Sequence, residues 1–369
     1  MRGTLPRILA VVLAVMPGVA AFGQGDLPDG LTTKSSLSPS EEQSIADWAT
    51  GNWSMISADA PVESREARRR LVAPLLSAET SAGFRLAMDR ALADQLQAAM
   101  NGDDVFRGVN AALLSGWIGT DRSVRALTQE LESEKVAIRF ASVSGLGYAF
   151  RVAGIGPVAF QAQVGNAAVD ALADVLESAD NQSLLDASVK SLIEAMSVPD
   201  QAISGFGARS AETLTSAVGV RLNSLPIDEH LGDRLRPLIR GMGDIRTQVT
   251  QRRGNVSQSW RNALMQMLGQ AGALGFRYVR AERSGALGGA QAESVRTTVE
   301  TALRVSGTMP TLLALDRGVQ DRLRALDLAS NFARAAQDGG SGYQRATNDL
   351  IRLLDGDFGL SRDRFNLDN

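Results

Sequence analysis

The sequence VRALTQELES at residues 124–133 is followed 45 residues later by VDALADVLES at residues 169–178. The segment after it repeats as well, because ASVSGL at residues 141–146 matches ASVKSL at residues 187–192. Apolar residues at three- and four-residue spacing in these segments predict amphipathic helices. The repeating unit is therefore two helices and their connection, with a period of about 45 residues.

Residues 123–147 resemble a HEAT repeat. Ala126, Leu127 and Leu131 stand as on the first helix of that family, and residues 136–147 stand as on the second helix, with its apolar residues and its glycine. HEAT repeats have periods in the range found here. The resemblance predicts how the two-helix units fold together, but it does not predict an activity.

Residues 169–196 resemble the same unit with one departure. Leu185 stands where Arg139 would repeat, so the polar ladder typical of the family is not maintained. Residues 110–114 and 260–264 resemble further second helices.

The resemblance implies an all-α fold, in which stacked antiparallel helix pairs form a right-handed superhelix, a HEAT-like or armadillo-like α-solenoid. One helix pair cannot bury its apolar stripe alone, so stacking completes the core and leaves an extended surface. Outside the repeat, helical periodicity alone supports this fold. It is clearest in six segments: Val62–Leu76, Gly83–Met100, Asp104–Trp117, Val295–Val305, Gln320–Gln337 and Tyr343–Leu354.

The repeat domain is expected to span residues 38–360. Ser38 can cap the amide of Glu41, Glu41 can return the bond, and Pro39 suits the first helical position, so these residues predict a capping box. Residues 24–37 are expected to form a flexible N-terminal spacer, and residues 361–369 a C-terminal tail. Pro74 and Pro237 lie inside helical patterns and are expected to kink them.

The N-terminus predicts export. A basic segment at residues 1–7 precedes an apolar run at residues 8–16 and small residues at 19–21, which is the layout of a secretory signal peptide over residues 1–23. Cleavage after Ala21 and cleavage after Gly23 both fit. The apolar run is shorter than the roughly 20 residues of a membrane span, and no later segment qualifies. We therefore expect a soluble periplasmic or secreted protein.

Composition favours a helical globular protein and argues against nucleic acid as a partner. The chain has no cysteine, so it uses no disulfide. Loss of residues 1–23 removes two arginines and no acidic residue, which changes the formal charge from −3 to −5. A mildly acidic protein lacks the basic surplus that phosphate binding requires. Only three of the 38 basic residues are lysine, as codon bias in a GC-rich genome would produce.

Two Glu-Ser pairs suggest one enzymatic alternative. Glu132-Ser133 and Glu177-Ser178 resemble the Glu-Ser pair of lytic transglycosylases, in which a glutamic acid of raised pKa protonates a glycosidic oxygen. The flanking residues of that family are missing, and both pairs end a repeated helix, which favours a structural role.

His230 is the single histidine of the chain. With Asp228, Glu229 and Asp233 it could bind a divalent cation. Acidic residues also favour the start of a helix after Pro226, and this interpretation needs no metal. We assign no catalytic residue, no metal ligand and no cofactor.

Two glycine clusters are interpreted as structural. Gly145 and Gly147 allow helices to pack closely, and Gly154 and Gly156 form a loop between repeats, since the spacing of a dinucleotide-binding loop is absent. Residues 339–342 are expected to be a hinge between the last two helices.

The middle of the chain is locally basic and supplies the candidate partner site: Arg234, Arg236, Arg240, Arg246, Arg252 and Arg253. Interspersed Asp233 and Asp244 also fit an ordinary solvated face. The expected function is a non-enzymatic exported scaffold or protein-binding module of the periplasm or cell envelope, whose partner is another envelope or secreted protein. The alternative is an envelope glycan hydrolase that uses carboxylate catalysis on a helical scaffold.

Overall fold

The computed structural model describes residues 27–252, 254–287 and 289–367. The fold is all-α, and these ranges contain no β-strand. Its helices are α1 (Pro39–Ser54), α2 (Pro61–Val72), α3 (Ala82–Asn101), α4 (Val105–Ile118), α5 (Asp121–Gln129), α6 (Val136–Ile155), α7 (Ala162–Ser178), α8 (Gln182–Met196), α9 (Phe206–Ser224), α10 (Leu231–Gln251), α11 (Gln258–Arg283), α12 (Gly289–Thr308), α13 (Arg317–Leu326), α14 (Leu328–Asp338) and α15 (Ser341–Phe358).

The start of α1 has the predicted capping box. The amide of Glu41 donates to Ser38 Oγ at 3.4 Å, and the amide of Ser38 donates to Glu41 Oε2 at 2.8 Å. Pro39 occupies the first helical position. These bonds satisfy amides that a helix start would otherwise leave without partners.

Most predicted helical segments lie within or close to observed helices, but Gln320–Gln337 is wrong as a single helix. The chain leaves the α-helical conformation at Asp327, whose φ is 31°. Leu326 and Leu328 flank the break at a spacing of two, which no continuous helical face provides. The Asp327 side chain then accepts the amide of Ser330 at 3.2 Å and starts α14. Periodicity over 18 residues concealed this restart.

The helices pack in two rows. The odd row contains α1, α3, α5, α7, α9, α11 and then α15, and each of these helices contacts the next one in the row. The even row contains α2, α4, α6, α8, α10, α12 and α14, and each of these helices also contacts the next one in the row. Each helix also contacts its partner in the other row, and the core lies between the rows.

Neighbours in the central part of each row run parallel, whereas α15 lies antiparallel to α11, because Gly269 faces Leu354 and Gly275 faces Tyr343. In the even row, an added Cβ on Gly108 would lie 2.6 Å from Ile138 Cδ1, and one on Gly119 would lie 3.6 Å from the Cα of Ala149. Between them, Gly116 faces the backbone of Gly145. Later residues of α4 contact later residues of α6, so the two helices point in the same direction. This is expected when the same helical hairpin recurs.

The repeated residues occupy equivalent positions. Three pairs are buried in the first helices of the two units, namely Val124 with Val169, Leu127 with Leu172, and Leu131 with Leu176. The pairs from the second helices are buried too: Ser142 with Ser188, Val143 with Val189, and Leu146 with Leu192. The sequence repeat is thus a repeat of core positions.

Residues 260–264 are an exception to the predicted assignment. They lie in α11, which belongs to the odd row, where the first helices of the units lie, so their prediction as a second helix is wrong. Trp260 Nε1 donates to Thr215 Oγ1 of α9 at 2.9 Å, across this row. One apolar face looks the same in first and second helices, so the sequence could not distinguish them.

Glycines allow close helix packing, as predicted for Gly145 and Gly147. An added Cβ on Gly145 would lie 2.7 Å from the carbonyl oxygen of Ala112, and one on Gly147 would lie 2.6 Å from Ser191 Oγ. Gly154 lies within α6 rather than in a loop, and Gly156 follows the end of that helix.

Two predicted kink sites lie at different places in their helices. Pro74 lies in the 3-10 turn Ala73–Leu75 that follows α2, whereas Pro237 lies inside α10. Gly339 and Gly340, both with positive φ, form the connection between α14 and α15 where a hinge was predicted.

Three buried arginines join helix ends. Arg85 donates to the carbonyls of Leu75 and Trp117, and Arg277 donates to those of Leu222 and Leu225. Arg221 donates to the carbonyls of Glu177 and Ala179. Carbonyls at helix C-termini lack intrahelical donors and carry partial negative charge, so a guanidinium is a suitable partner. Burial lowers the pKa of Arg85 to about 10.

Both terminal segments contact the helices. Within the expected spacer, Leu31 is buried, and the Ser81 amide donates to the carbonyl of Thr32 at 2.8 Å. Within the expected C-terminal tail, Phe365 and Leu367 are buried. The predicted signal peptide, residues 1–23, lies outside the described residues. No helix in the described ranges is long and apolar enough to cross a membrane.

Candidate functional site

The arginines predicted as a partner site do not converge on one surface. Arg234, Arg236, Arg240 and Arg246 lie on α10, and Arg252 follows it. Arg253 lies outside the described residues. Four of the five described arginines have carboxylate partners: Arg234 with Asp228 at 2.8 Å, Arg236 with Asp233 at 3.4 Å, Arg240 with Asp186 at 2.5 Å and Arg252 with Asp200 at 3.1 Å.

The Arg240 pair connects neighbouring helices of the even row. Asp186 on α8 accepts from both Arg240 and Lys190. Partial burial raises the pKa of the Asp186 carboxyl, but the two cationic partners outweigh burial and the net shift is downward. Arg246 is exposed and has no ion pair among the described residues. Most of this basic charge is therefore compensated locally, as in a solvated helical face.

An exposed aromatic surface, which was not predicted from the sequence, lies on the even row. Phe106 on α4 and Phe140 on α6 are 39% and 42% exposed. Farther along the same two helices, Trp117 and Tyr148 stack with ring centroids 4.4 Å apart and an interplanar angle of 14°. We call these four side chains the aromatic surface.

The aromatic surface continues into a groove between α6 and α8, with a volume of about 460 Å³. Phe140 and Tyr148 line its α6 side, and Asp186, Lys190 and Glu194 line its α8 side. Arg151 of α6 forms an ion pair with Glu194 at one side of the groove. Aromatic area therefore adjoins charged groups of both signs.

The floor of this groove is rigidly built. Ser191 Oγ donates to the carbonyl of Val143 at 2.7 Å, and Gly147 leaves room for Ser191 at the crossing of the two helices. Phe140, Ser144 and Tyr148 recur at a spacing of four and form a stripe on the outer side of α6. That spacing was the available sequence signal, because α6 carries large apolar residues on the side away from its core face.

The two Glu-Ser pairs occupy different environments. Glu132 is exposed in the 3-10 turn after α5, whereas Glu177 is half-buried near the end of α7. Burial, and secondarily the charge of Asp174, raises the pKa of Glu177. Glu177 lines a surface depression between α7 and α9 together with Asp174 and Glu212. The two Glu-Ser pairs are thus equivalent in sequence but differ in their exposure to solvent.

His230 is the residue before α10, and its side chain is exposed. Its Nε2 lies 3.7 Å from Glu229 Oε1, while Asp228 accepts from Arg234 and from the His230 amide. Within the described ranges, no group of three or more histidine or acidic side chains is arranged to hold a metal ion. Asp228 and Glu229 lie just before the helix start, where acidic residues are favourable.

No family model matches the chain, and no curated protein is similar to it. Among solved structures, the crystal structure of an engineered protein matches 88% of this chain and 93% of its own chain, at 13% sequence identity and a TM-score of 0.26. A likeness at that level identifies neither fold family nor function, so function is inferred from the residues themselves.

Proposed function

We propose that the protein is an exported, non-enzymatic scaffold of the periplasm or cell envelope that binds another protein through the aromatic surface and the α6–α8 groove. The observation that carries this proposal is the exposure of Phe106 and Phe140 on the neighbouring helices α4 and α6, which also carry the stacked Trp117 and Tyr148. Aromatic side chains are enriched in protein interfaces because they bury large area with few rotatable bonds.

The proposed architecture is a HEAT-like α-solenoid with a right-handed superhelical course. It is supported by two rows of helices, by parallel neighbours in the central part of each row and by the recurrence of core positions after 45 residues. Such arrays present extended surfaces made by equivalent helices of successive units. The aromatic surface lies on two such helices, α4 and α6.

The groove can supply orientation as well as area. Asp186, Lys190, Arg151 and Glu194 bring both signs of charge beside the aromatic rings. Charges at the edge of an interface contribute to the choice of partner and to association rate more than to affinity. We therefore expect the aromatic side chains to dominate affinity and the ion-paired residues to tune selectivity.

Paired substitutions test this proposal. Phe140→Ser removes an aromatic side chain that is 42% exposed, whereas Leu86→Ser removes a leucine on α3 that is 41% exposed and lies in the odd row. Mature protein of each type would serve as bait in affinity capture from envelope extracts, followed by titration of the captured partner. We expect Phe140→Ser to weaken binding at least tenfold, since central aromatic residues contribute about 1.4 kcal/mol or more.

Equal capture by wild type and Phe140→Ser would refute the assigned surface. Capture of no partner by wild type would count against the scaffold. Export is tested separately by the N-terminal sequence of the protein recovered from the periplasm or the medium, where an intact Met1 would exclude cleavage.

The raised pKa of Glu177 is the observation that favours the alternative, an envelope glycan hydrolase. A general acid must retain its proton near neutral pH, and burial acts in that direction at Glu177. Incubation of purified wild-type and Glu177→Gln protein with peptidoglycan, followed by chromatography of the soluble products, tests it. Product release that Glu177→Gln abolishes would favour the hydrolase over the scaffold.

A further inference from the structure

A second cavity lies far along the chain from the aromatic surface, and its lining is cationic. It has a volume of about 560 Å³, is open on one side, and is lined by three segments: the end of α11, the start of α15, and the C-terminal residues after α15. That volume is in the range of small-molecule sites, about 300–1,000 Å³. None of the described residues that line it is acidic.

Its charged residues come from separate parts of the chain. Arg280 and Arg283 lie in the last turn of α11, and Arg362 begins the 3-10 turn Arg362–Arg364. Arg283 and Arg362 have no ion pair among the described residues. A basic last turn also stabilises the C-terminus of its own helix, but that effect does not account for Arg362.

Two acidic groups of the neighbouring segments, Glu282 and Asp338, are engaged elsewhere. Glu282 pairs with Arg296 at 2.5 Å, on a different side of α11. Both carboxylate oxygens of Asp338 accept backbone amides, from Gly340 at 2.8 Å and from Gly342 at 3.3 Å. Neither Glu282 nor Asp338 therefore compensates the charge of Arg283 or Arg362.

The three walls are held in place. Tyr343 Oη donates to the carbonyl of Gly272 at 2.9 Å and fixes the start of α15 on α11. Arg364 donates to Gln266 Oε1 at 3.0 Å, and buried Phe365 packs against Gly269, which fixes the C-terminal segment. The arginines thus project from segments whose backbones are anchored.

We propose that this cavity binds a small organic oxyanion, a compound that carries a phosphate or carboxylate group on an apolar body. Guanidinium groups donate paired N–H bonds to either oxyanion. Gln344 and Asn348 on α15 add amide donors. Phe276, Val279 and Leu367 supply an apolar wall for the rest of the ligand. This site is independent of the proposed partner surface.

Calorimetric titration of the mature protein with phenyl phosphate and with benzoate, at low ionic strength, tests the site. We expect binding of at least one probe, and the tighter probe identifies the headgroup. Arg283→Gln and Arg362→Gln should each weaken binding about tenfold, because each removes a charge-assisted donor. Arg345→Gln makes the same change on α15 outside the cavity and should leave affinity unchanged.

Failure of both probes to bind would overturn the proposal, as would an equal loss of affinity in Arg345→Gln. Thermal melting of the same variants controls for folding. Arg283 and Arg362 are exposed and form no ion pair with a described residue, so unchanged melting is expected. Asp368 follows Leu367 in the sequence, so Asp368→Asn should leave binding equal or tighter. Weaker binding in Asp368→Asn would place the anion elsewhere and also count against the proposal.

Discussion

The Nη1 atom of Arg277 on α11 donates a hydrogen bond of 3.1 Å to the carbonyl oxygen of Leu225, the residue that ends α9. Its Nη2 atom donates to Leu222 of the same helix at 3.0 Å. The guanidinium is buried, and burial lowers its pKa. Two helix-end carbonyls therefore depend on one side chain from the neighbouring helix.

Arg277→Met should lower the free energy of unfolding by about 2–3 kcal/mol, because buried carbonyls lose their donors while the volume of the side chain is roughly kept. Urea titration followed by circular dichroism measures the effect. Arg345→Met, at an exposed position of α15, is the matched control and should change stability by less than about 0.5 kcal/mol. Equal urea midpoints for both variants would contradict the structural role of Arg277.

Gly145→Ala should destabilise the protein by about 1–3 kcal/mol, because its Cβ would lie 2.7 Å from the carbonyl oxygen of Ala112 and force α4 and α6 apart. Gly154→Ala is the control in the same helix. It has no atom within 4 Å of the added Cβ, so helix propensity should stabilise it by up to about 1 kcal/mol. The prediction fails if thermal melting moves in the same direction for both variants.

Asp327→Ala should lower the free energy of unfolding by about 2 kcal/mol. It removes a helix cap, which contributes about 1 kcal/mol, and it leaves a residue with a Cβ at positive φ. Asp316 caps the amide of Gly318 at 2.8 Å with φ of −53°, so Asp316→Ala loses a cap only. Chemical denaturation of both variants gives two losses of stability, and their difference measures the cost of the positive φ at residue 327. Asp327→Asn, which can cap and tolerates positive φ, should behave nearly as wild type.

Alkaline pH should destabilise the protein through Tyr278. Burial, followed by the charge of Glu282, raises the pKa of Tyr278 to about 12, and burial also raises the pKa of Tyr343. A raised phenol pKa means that the native state retains a proton which the unfolded chain releases, so stability is complete below about pH 10 and falls as pH rises toward 12. Urea midpoints measured from pH 9 to 11.5 should decline, and Tyr278→Phe should make the decline shallower. An identical slope in Tyr278→Phe would refute this assignment.

Local sequence rules predicted the parts of the fold that depend on local interactions. The Ser38–Glu41 capping box and the burial of the repeated residues, such as Leu127 and Leu172, follow from spacing alone. The break at Asp327 was missed because Leu323 and Leu326 before it, and Leu328 and Phe332 after it, each have helical spacing. The row to which residues 260–264 belong is known only from tertiary contacts, because the apolar face of a single helix does not show which helix it packs against.

The candidate site was less predictable than the fold. Clustering in the sequence favoured the arginines of α10, but Asp186, Asp200 and Asp228, outside that helix, compensate much of their charge. The aromatic surface combines side chains about 30 residues apart, since Trp117 and Tyr148 meet only when α4 and α6 pack side by side. The sequence also does not show which aromatic side chains are exposed. The same residues would be ordinary core residues if another helix packed against them.

The buried arginines set a limit on recombination of this chain. Arg221 of α9 binds carbonyls at the end of α7, and Arg277 of α11 binds carbonyls at the end of α9. A chimaera joined between these helices, or a shortened version without α7, would leave a guanidinium enclosed without acceptors. Units of this array are therefore not interchangeable parts, and a working fragment must begin or end where no arginine reaches into the missing neighbour.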